Sequence, residues 1–180
     1  MIRFVLLCYF LSLNLHADTS SQMFQLYQKG DYAASCNIGF QHLKQLEFNE
    51  AYTSLYAFSC LKADQIDRLN DPIMILNQTR EARANASFFS LIVLQKKLLT
   101  QALFDNYPIK TLKLPTSSHL LSKLFNFYQN NPQPQSTVKE YIDSINPRIS
   151  YKLYSIEITG RKTIAIDEYY DKILTLHHVY

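Results

Sequence analysis

A stripe of apolar and small residues at helical spacing restricts this chain more than any other feature, because it runs up to a turn and resumes beyond it. Tyr32, Cys36, Gly39, Leu43 and Leu46 recur at steps of three and four, which puts them on one face of a helix. After Glu47-Phe48-Asn49 the pattern continues with Tyr52, Leu55, Tyr56, Ser59/Cys60, Ala63 and Ile66. Asn49 offers a capping side chain and Glu50 an acidic first turn to the second stripe. So short a connection joins antiparallel neighbours. The sequence therefore predicts a helical hairpin whose two stripes face each other.

Cys36 and Cys60 are placed symmetrically about residue 48, the middle of that turn. Each lies about 18 Å up its own helix at 1.5 Å per residue, so the two are level. Their Cα atoms can then approach the roughly 5.5–6 Å that a disulfide needs, and closing this loop is worth about 3 kcal/mol on a chain-entropy basis. The competing arrangement is two free thiols packed as small apolar groups. Redox catalysis wants a CxxC-type spacing and zinc wants four clustered Cys and His ligands. Neither pattern is present, and no metal or cofactor is expected. His42 lies six residues from Cys36 on a helix, while His177 and His178 are strand neighbours that point to opposite faces.

The compartment bears on the thiols. Met1-Ile2-Arg3 is a short basic start, Phe4 to Leu13 is an apolar run broken only by Ser12, and Leu15-His16-Ala17 resembles a cleavage site. Residues 1–17 are expected to be a signal peptide removed after Ala17, which sends the chain to the periplasm or outside the cell. The run is about half the roughly 20 residues of a membrane span, so no integral membrane segment is expected in the mature chain. An oxidising compartment favours a closed Cys36–Cys60 bridge. Without Arg3 the balance is 17 Lys and Arg against 15 Asp and Glu, a net charge of +2. So small an excess gives no general electrostatic attraction for nucleic acid or acidic lipid. Three glycines, with no GxGxxG or GxxxxGK[ST], argue against a nucleotide fold.

The stretch LYQKGDYAAS, Leu26 to Ser35, resembles the turn between the two helices of a tetratricopeptide repeat. Gly30 stands at the helix-ending position, Asp31 at the cap and Tyr32 at the first packing position of the second helix. In the next unit Tyr52 and Leu55 fit the large and leucine positions, while Tyr56 stands where a small residue is expected and Ser59 where a tyrosine is expected. Cysteine-bridged helix pairs also resemble exported repeat proteins of the Sel-like group. The likeness covers roughly residues 20–66. It implies an interaction scaffold without chemistry of its own.

Beyond the hairpin, Asn70-Asp71-Pro72 reads as the start of one long helix that is apolar all round at Phe88 to Leu94 and so buried. Ser117 to Gln129 reads as another amphipathic helix. After the proline-rich NNPQPQS, the composition turns β-branched and aromatic in ISYKLYSIEI and KTIAID, with Thr159-Gly160-Arg161 as a hairpin turn. KILTLHHVY continues as a third strand or as a helix. The expected organisation is α+β: a signal peptide over 1–17, a helical body of hairpins over 18–130, a linker over 131–147 and a small antiparallel meander over 148–180.

Two function classes follow. The first is an exported, non-enzymatic module that binds a protein or peptide partner, with Tyr151 and Tyr154 of the tail as candidate binding residues or an unpaired edge strand as the docking element. The second is a small enzyme built on Asp64, Asp67, Arg80 and Arg83, four charged residues within twenty positions. Arg80 and Arg83 could form a carboxylate- or phosphate-binding fork. Asp64 and Asp67 would share a helix face, and Asp64 with Arg68 would make an i,i+4 pair. No catalytic nucleophile or base accompanies them, so the first class is preferred.

Overall fold

A computed structural model describes residues 19–46 and 49–180; the expected signal peptide and its cleavage site at Ala17 lie outside them. The helical part begins with α1 (Thr19–Gln28), α2 (Tyr32–Gln41), the single turn α3 (Leu43–Leu46) and α4 (Glu50–Lys62). Gly30, at φ 79°, ends α1, and the Asp31 carboxylate accepts the Ala34 N–H at 3.1 Å to open α2. Asn49 caps α4 by accepting the N–H groups of Ala51 and Tyr52.

Helices α2 and α4 meet through small residues. A Cβ on Gly39 would lie 2.4 Å from the Tyr56 ring, so only glycine admits the fully buried tyrosine standing opposite. One turn along, the Ser35 and Ser59 hydroxyls are 2.8 Å apart, and Ser35 also donates to the Met23 carbonyl of α1 at 3.0 Å. Beside them Cys36 and Cys60 are bonded, with a Cα separation of 4.8 Å. The level placement deduced from the turn midpoint is therefore realised, and the closed bridge is compatible with an oxidising compartment.

A 3₁₀ turn (Ile66–Leu69) leads into α5 (Asn70–Ile75) and then α6 (Arg80–Asp105). The single long helix expected after Asn70 is thus two. The Glu50 carboxylate, on α4, accepts the N–H groups of Asn77, Gln78 and Thr79 at 2.7–2.9 Å, and Thr79 caps α6 by accepting the Ala82 N–H. These bonds hold residues 77–79 out of the helix. Asn70 is the first residue of α5 rather than its cap, because the 3₁₀ turn runs straight into it. At 26 residues α6 spans about 39 Å, and it buries Phe89, Ile92, Leu99 and Ala102 at the centre of the core. Helix α7 (Leu120–Asn130) packs Leu121, Leu124 and Phe125 beside it.

The tail is a four-stranded antiparallel meander in chain order, β1 (Lys139–Ile142), β2 (Ile149–Ile158), β3 (Arg161–Tyr170) and β4 (Ile173–Val179). The last segment is a strand, not a helix. Strand β1 lies inside the stretch expected to be a linker: four residues with two charges carry too little pattern to announce a strand, and pairing with β2 makes it one. Thr159-Gly160 and Asp171-Lys172, all at positive φ, form the two-residue turns whose twist suits hairpins. One sheet face carries Tyr141, Tyr151, Leu153, Ile164 and Ile166 into the core, where Phe127 of α7 stacks on Tyr141 and Tyr151 at 5.6 and 5.9 Å.

Gly39→Ala should lower stability by about 1–3 kcal/mol through overpacking against Tyr56, read as a lower urea midpoint at unchanged slope. The mature protein should gain the mass of two hydrogens on reduction, and Cys36→Ser/Cys60→Ser should lose about 3 kcal/mol in the same denaturation experiment.

Candidate functional site

The four charged residues expected to share a site are distributed along the molecule. Helix α4 ends at Lys62, and Asp64 stands in the left-handed region at φ 60°, so it neither shares a helix face with Asp67 nor pairs with Arg68. Arg68 instead donates to the Asn37 Oδ1 at 2.8 Å and lies 4.4 Å over the Phe40 ring. Asp67 pairs with Lys96 at 2.6 Å. Lys96 follows Arg80 by sixteen residues on α6, about 24 Å at 1.5 Å per residue. Arg83 is spent on the carbonyls of Asn77 and Gln78, which closes the turn before α6. Asp64 and Asp67 do line a common cleft with Arg68, Lys96 and Tyr180, of about 190 Å³, below the 300–1,000 Å³ of usual ligand pockets. The Arg80/Arg83 fork is remote from it.

Asp64 has a different partner, one that sequence reasoning did not find. His178 of β4 directs Nδ1 to the Asp64 carboxylate at 2.8 Å and Nε2 to Glu168 of β3 at 3.0 Å, while the Tyr180 ring stacks parallel to it at 6.0 Å. This bridge joins the helical body to the sheet. Hydrogen bonding to Asp64 first and Glu168 second, against the cost of burial, raises the His178 pKa to about 9. At neutral pH the ring is an imidazolium donating from both nitrogens. Burial, ahead of its neighbours' charges, lowers His119 to about 4. Its neutral Nδ1 accepts the Leu121 N–H at 3.2 Å and caps α7. Burial followed by the Asp64 charge pushes the Tyr180 hydroxyl far above its usual range. The only sequence signal for the bridge was the His177-His178 pair itself. Strand alternation separates the two, as expected, and gives each a carboxylate.

His177 faces the outer side of the sheet, with Nδ1 2.6 Å from Asp167. The same carboxylate accepts from the hydroxyls of Tyr154 at 3.0 Å and Tyr169 at 3.4 Å. Tyr151 lies on the opposite face, buried, where its hydroxyl donates to Asp143 at 3.2 Å. The two tyrosines singled out as candidate binding residues are therefore divided by the sheet. Among the described residues no group of three or more His, Cys, Asp or Glu is placed to hold a metal ion, and no helix is long and apolar enough to cross a membrane.

A groove of about 510 Å³ lies between α1, α4 and the start of α6. Phe24 of α1, Leu55 and Phe58 of α4 and Ala82 of α6 form its apolar wall, with Asn85 and Glu81 at the rim. Phe58 is fixed from behind, edge-on to Phe89 at 4.9 Å, and Asn85 donates to the Ser54 hydroxyl at 3.1 Å. Phe24 stands on the opposite side of the groove, 49 % exposed. Neither the Phe24 ring nor Asn85 was signalled by sequence, because each sits at a position that looks like ordinary helix surface. Compared with known protein families, characterised proteins and solved structures, the chain finds no match.

Stability should peak near pH 6–7. The folded His178 keeps its proton up to about pH 9, against about 6.5 for the unfolded ring, so its contribution is complete below pH 6.5 and lost as the pH rises through 9. His119 acts oppositely: between pH 6.5 and 4 the unfolded chain takes up a proton that the folded chain refuses, and stability falls with decreasing pH. Urea midpoints from pH 4 to 10 check both arms, and His178→Gln should flatten the alkaline one alone.

Proposed function

We propose that this protein is an exported, non-enzymatic interaction module that holds a peptide or protein segment in the groove between α1, α4 and α6. The observation that carries the reading is the exposed Phe24 ring facing the fixed wall of Leu55 and Phe58, an apolar slot of about 510 Å³. Pockets of this size lined by aromatic and aliphatic side chains with a few polar groups are the usual form of a recognition site. The tetratricopeptide-like turn at Leu26–Ser35 supports the same reading, since that resemblance implies a scaffold that presents helix faces to partners. The Cys36–Cys60 bridge holds α4 in place behind the groove, which limits the ordering cost of binding.

The rim sets the ligand's character. Glu81 is exposed beside the slot, whereas Glu50 is occupied by the N–H groups of residues 77–79. Those bonds hold the Glu50 pKa at about 2 against a desolvation that would raise it. A segment with an apolar anchor and a neighbouring basic residue matches this arrangement. Export with removal of residues 1–17, to the periplasm or the medium, belongs to the same proposal and is supported by the signal-like N-terminus and the disulfide.

Peptides selected by display against the mature protein should carry that pairing. Phe24→Ala and Asn85→Lys should each weaken them at least about tenfold, as loss of an anchor contact does, while the exposed Phe24→Ala leaves the unfolding midpoint within about 0.5 kcal/mol. Unchanged affinities in both variants would remove the groove from the proposal.

A further inference from the structure

The sheet ends, at the β1–β2 loop and the β3–β4 turn, in a set of aliphatic side chains held in water. Ile145 is 94 % exposed, Ile173 70 %, Ile142 66 % and Leu174 52 %. This end is built rather than loose. The Asp143 carboxylate accepts the N–H groups of Ile145 at 2.9 Å and Asn146 at 3.1 Å, while Lys123 of α7 and the Tyr151 hydroxyl bond its other oxygen. The Lys123 hydrogen bond foremost, joined by the loop N–H groups, keeps Asp143 well below the usual carboxylate range. A buried, ionised aspartate therefore fixes a loop whose apex is an isoleucine. The neighbouring turn is tied to that loop by the Asp171 N–H on the Arg148 carbonyl at 2.8 Å and by the Arg148–Asp171 ion pair.

Three cations stand at the same end of the sheet. Arg148 stacks on Tyr170 at 4.3 Å, Lys152 lies over Tyr169 at 5.4 Å while bonding Glu140, and Lys172 has no ion-pair partner among the described residues. All three cations line an open pocket of about 880 Å³ on the outer sheet face, next to Ile142. Three cations against the two carboxylates Glu140 and Asp171 leave the pocket positive.

We propose that this end of the sheet is a membrane-surface contact, in which Ile142, Ile145, Ile173 and Leu174 enter the interface of an anionic bilayer and the Arg148/Lys152/Lys172 pocket takes a phospholipid headgroup. Protruding aliphatics beside tyrosines and basic side chains suit the boundary between headgroups and acyl chains, where amphipathic residues keep a polar tip wet and an apolar body buried. A protein pocket accepting the same end would have to be both deeply concave and acidic. The contact is shallow and peripheral, and it leaves the α1/α4/α6 groove free.

The chain has no tryptophan, so Ile145→Trp is a clean reporter. With phosphatidylcholine vesicles containing phosphatidylglycerol, its emission should shift to the blue and be quenched by brominated acyl chains. Added salt should weaken the effect by screening, and phosphatidylcholine alone should give less. Ile142→Glu/Ile173→Glu should reduce partitioning at least about tenfold, and Lys172→Glu should weaken binding to anionic vesicles by roughly fivefold, with unfolding midpoints unchanged for these three exposed positions. Phe24→Ala should leave vesicle binding as it is, which separates this result from the fate of the groove. An indole that stays in water with both vesicle types would overturn the proposal. So would displacement of vesicles by glycerol phosphate, which would mark a site for a soluble anion, or a blue shift produced only by an added protein.

Discussion

The close approach of α2 to α4 is the constraint on which the rest of the molecule depends. Gly39 removes a side chain so that the Tyr56 ring can lie where a small residue would otherwise be needed, and the Ser35–Ser59 hydrogen bond and Cys36–Cys60 bridge fill the next turns with compact groups. Burying so many small and polar atoms is stable only if each is paired. Here the Ser35 hydroxyl donates to the Met23 carbonyl, the single Ser59 proton lies between the Ser35 and Leu55 oxygens, and the sulfurs bond covalently. The Tyr56 hydroxyl reaches the Arg68 carbonyl, so the same contact positions the 3₁₀ turn that redirects the chain toward α5 and α6.

From that redirected segment the second junction follows. Asp64 sits just past the end of α4, four residues from Cys60, and meets His178 across 114 positions of sequence. The half-buried imidazolium between two carboxylates is a favourable arrangement because each ring nitrogen donates to a charged acceptor. Together with the Phe127 stack on Tyr141 and Tyr151 and the Lys123–Asp143 pair, it fixes the sheet on the helical body. The groove is therefore lined by the helices and the aliphatic end is carried by the sheet, braced there by Lys123 of α7, with the shared core between them.

Legibility in the sequence tracked how local the deciding interaction was. The helical hairpin, its cap at Asn49, the level cysteines, the Thr159-Gly160 turn and the separation of His177 from His178 all follow from periodicity or from residues a few positions apart, while the Asp31 cap came with the tetratricopeptide resemblance. The break between α5 and α6 did not, because the agent is Glu50, 27 to 29 residues away. Strand β1 was hidden in an expected linker, since four residues acquire strand character only from a neighbour. The Asp64/Asp67/Arg80/Arg83 grouping was close in sequence and divided in space: a left-handed Asp64 and the length of α6 send its members to His178, to Lys96, to solvent and to a turn.

By itself the sequence determined the α+β class, the helical hairpin with its level cysteines and the Thr159-Gly160 turn, because helix and strand periods and a turn midpoint are encoded within each segment. Tertiary structure alone decided which charged groups meet, which tyrosines face water, and that Phe24 overlooks a groove while Ile145 stands clear of the protein. Those outcomes depend on distances between segments that no local pattern carries, and they are set by how α2, α4 and the sheet close around one core.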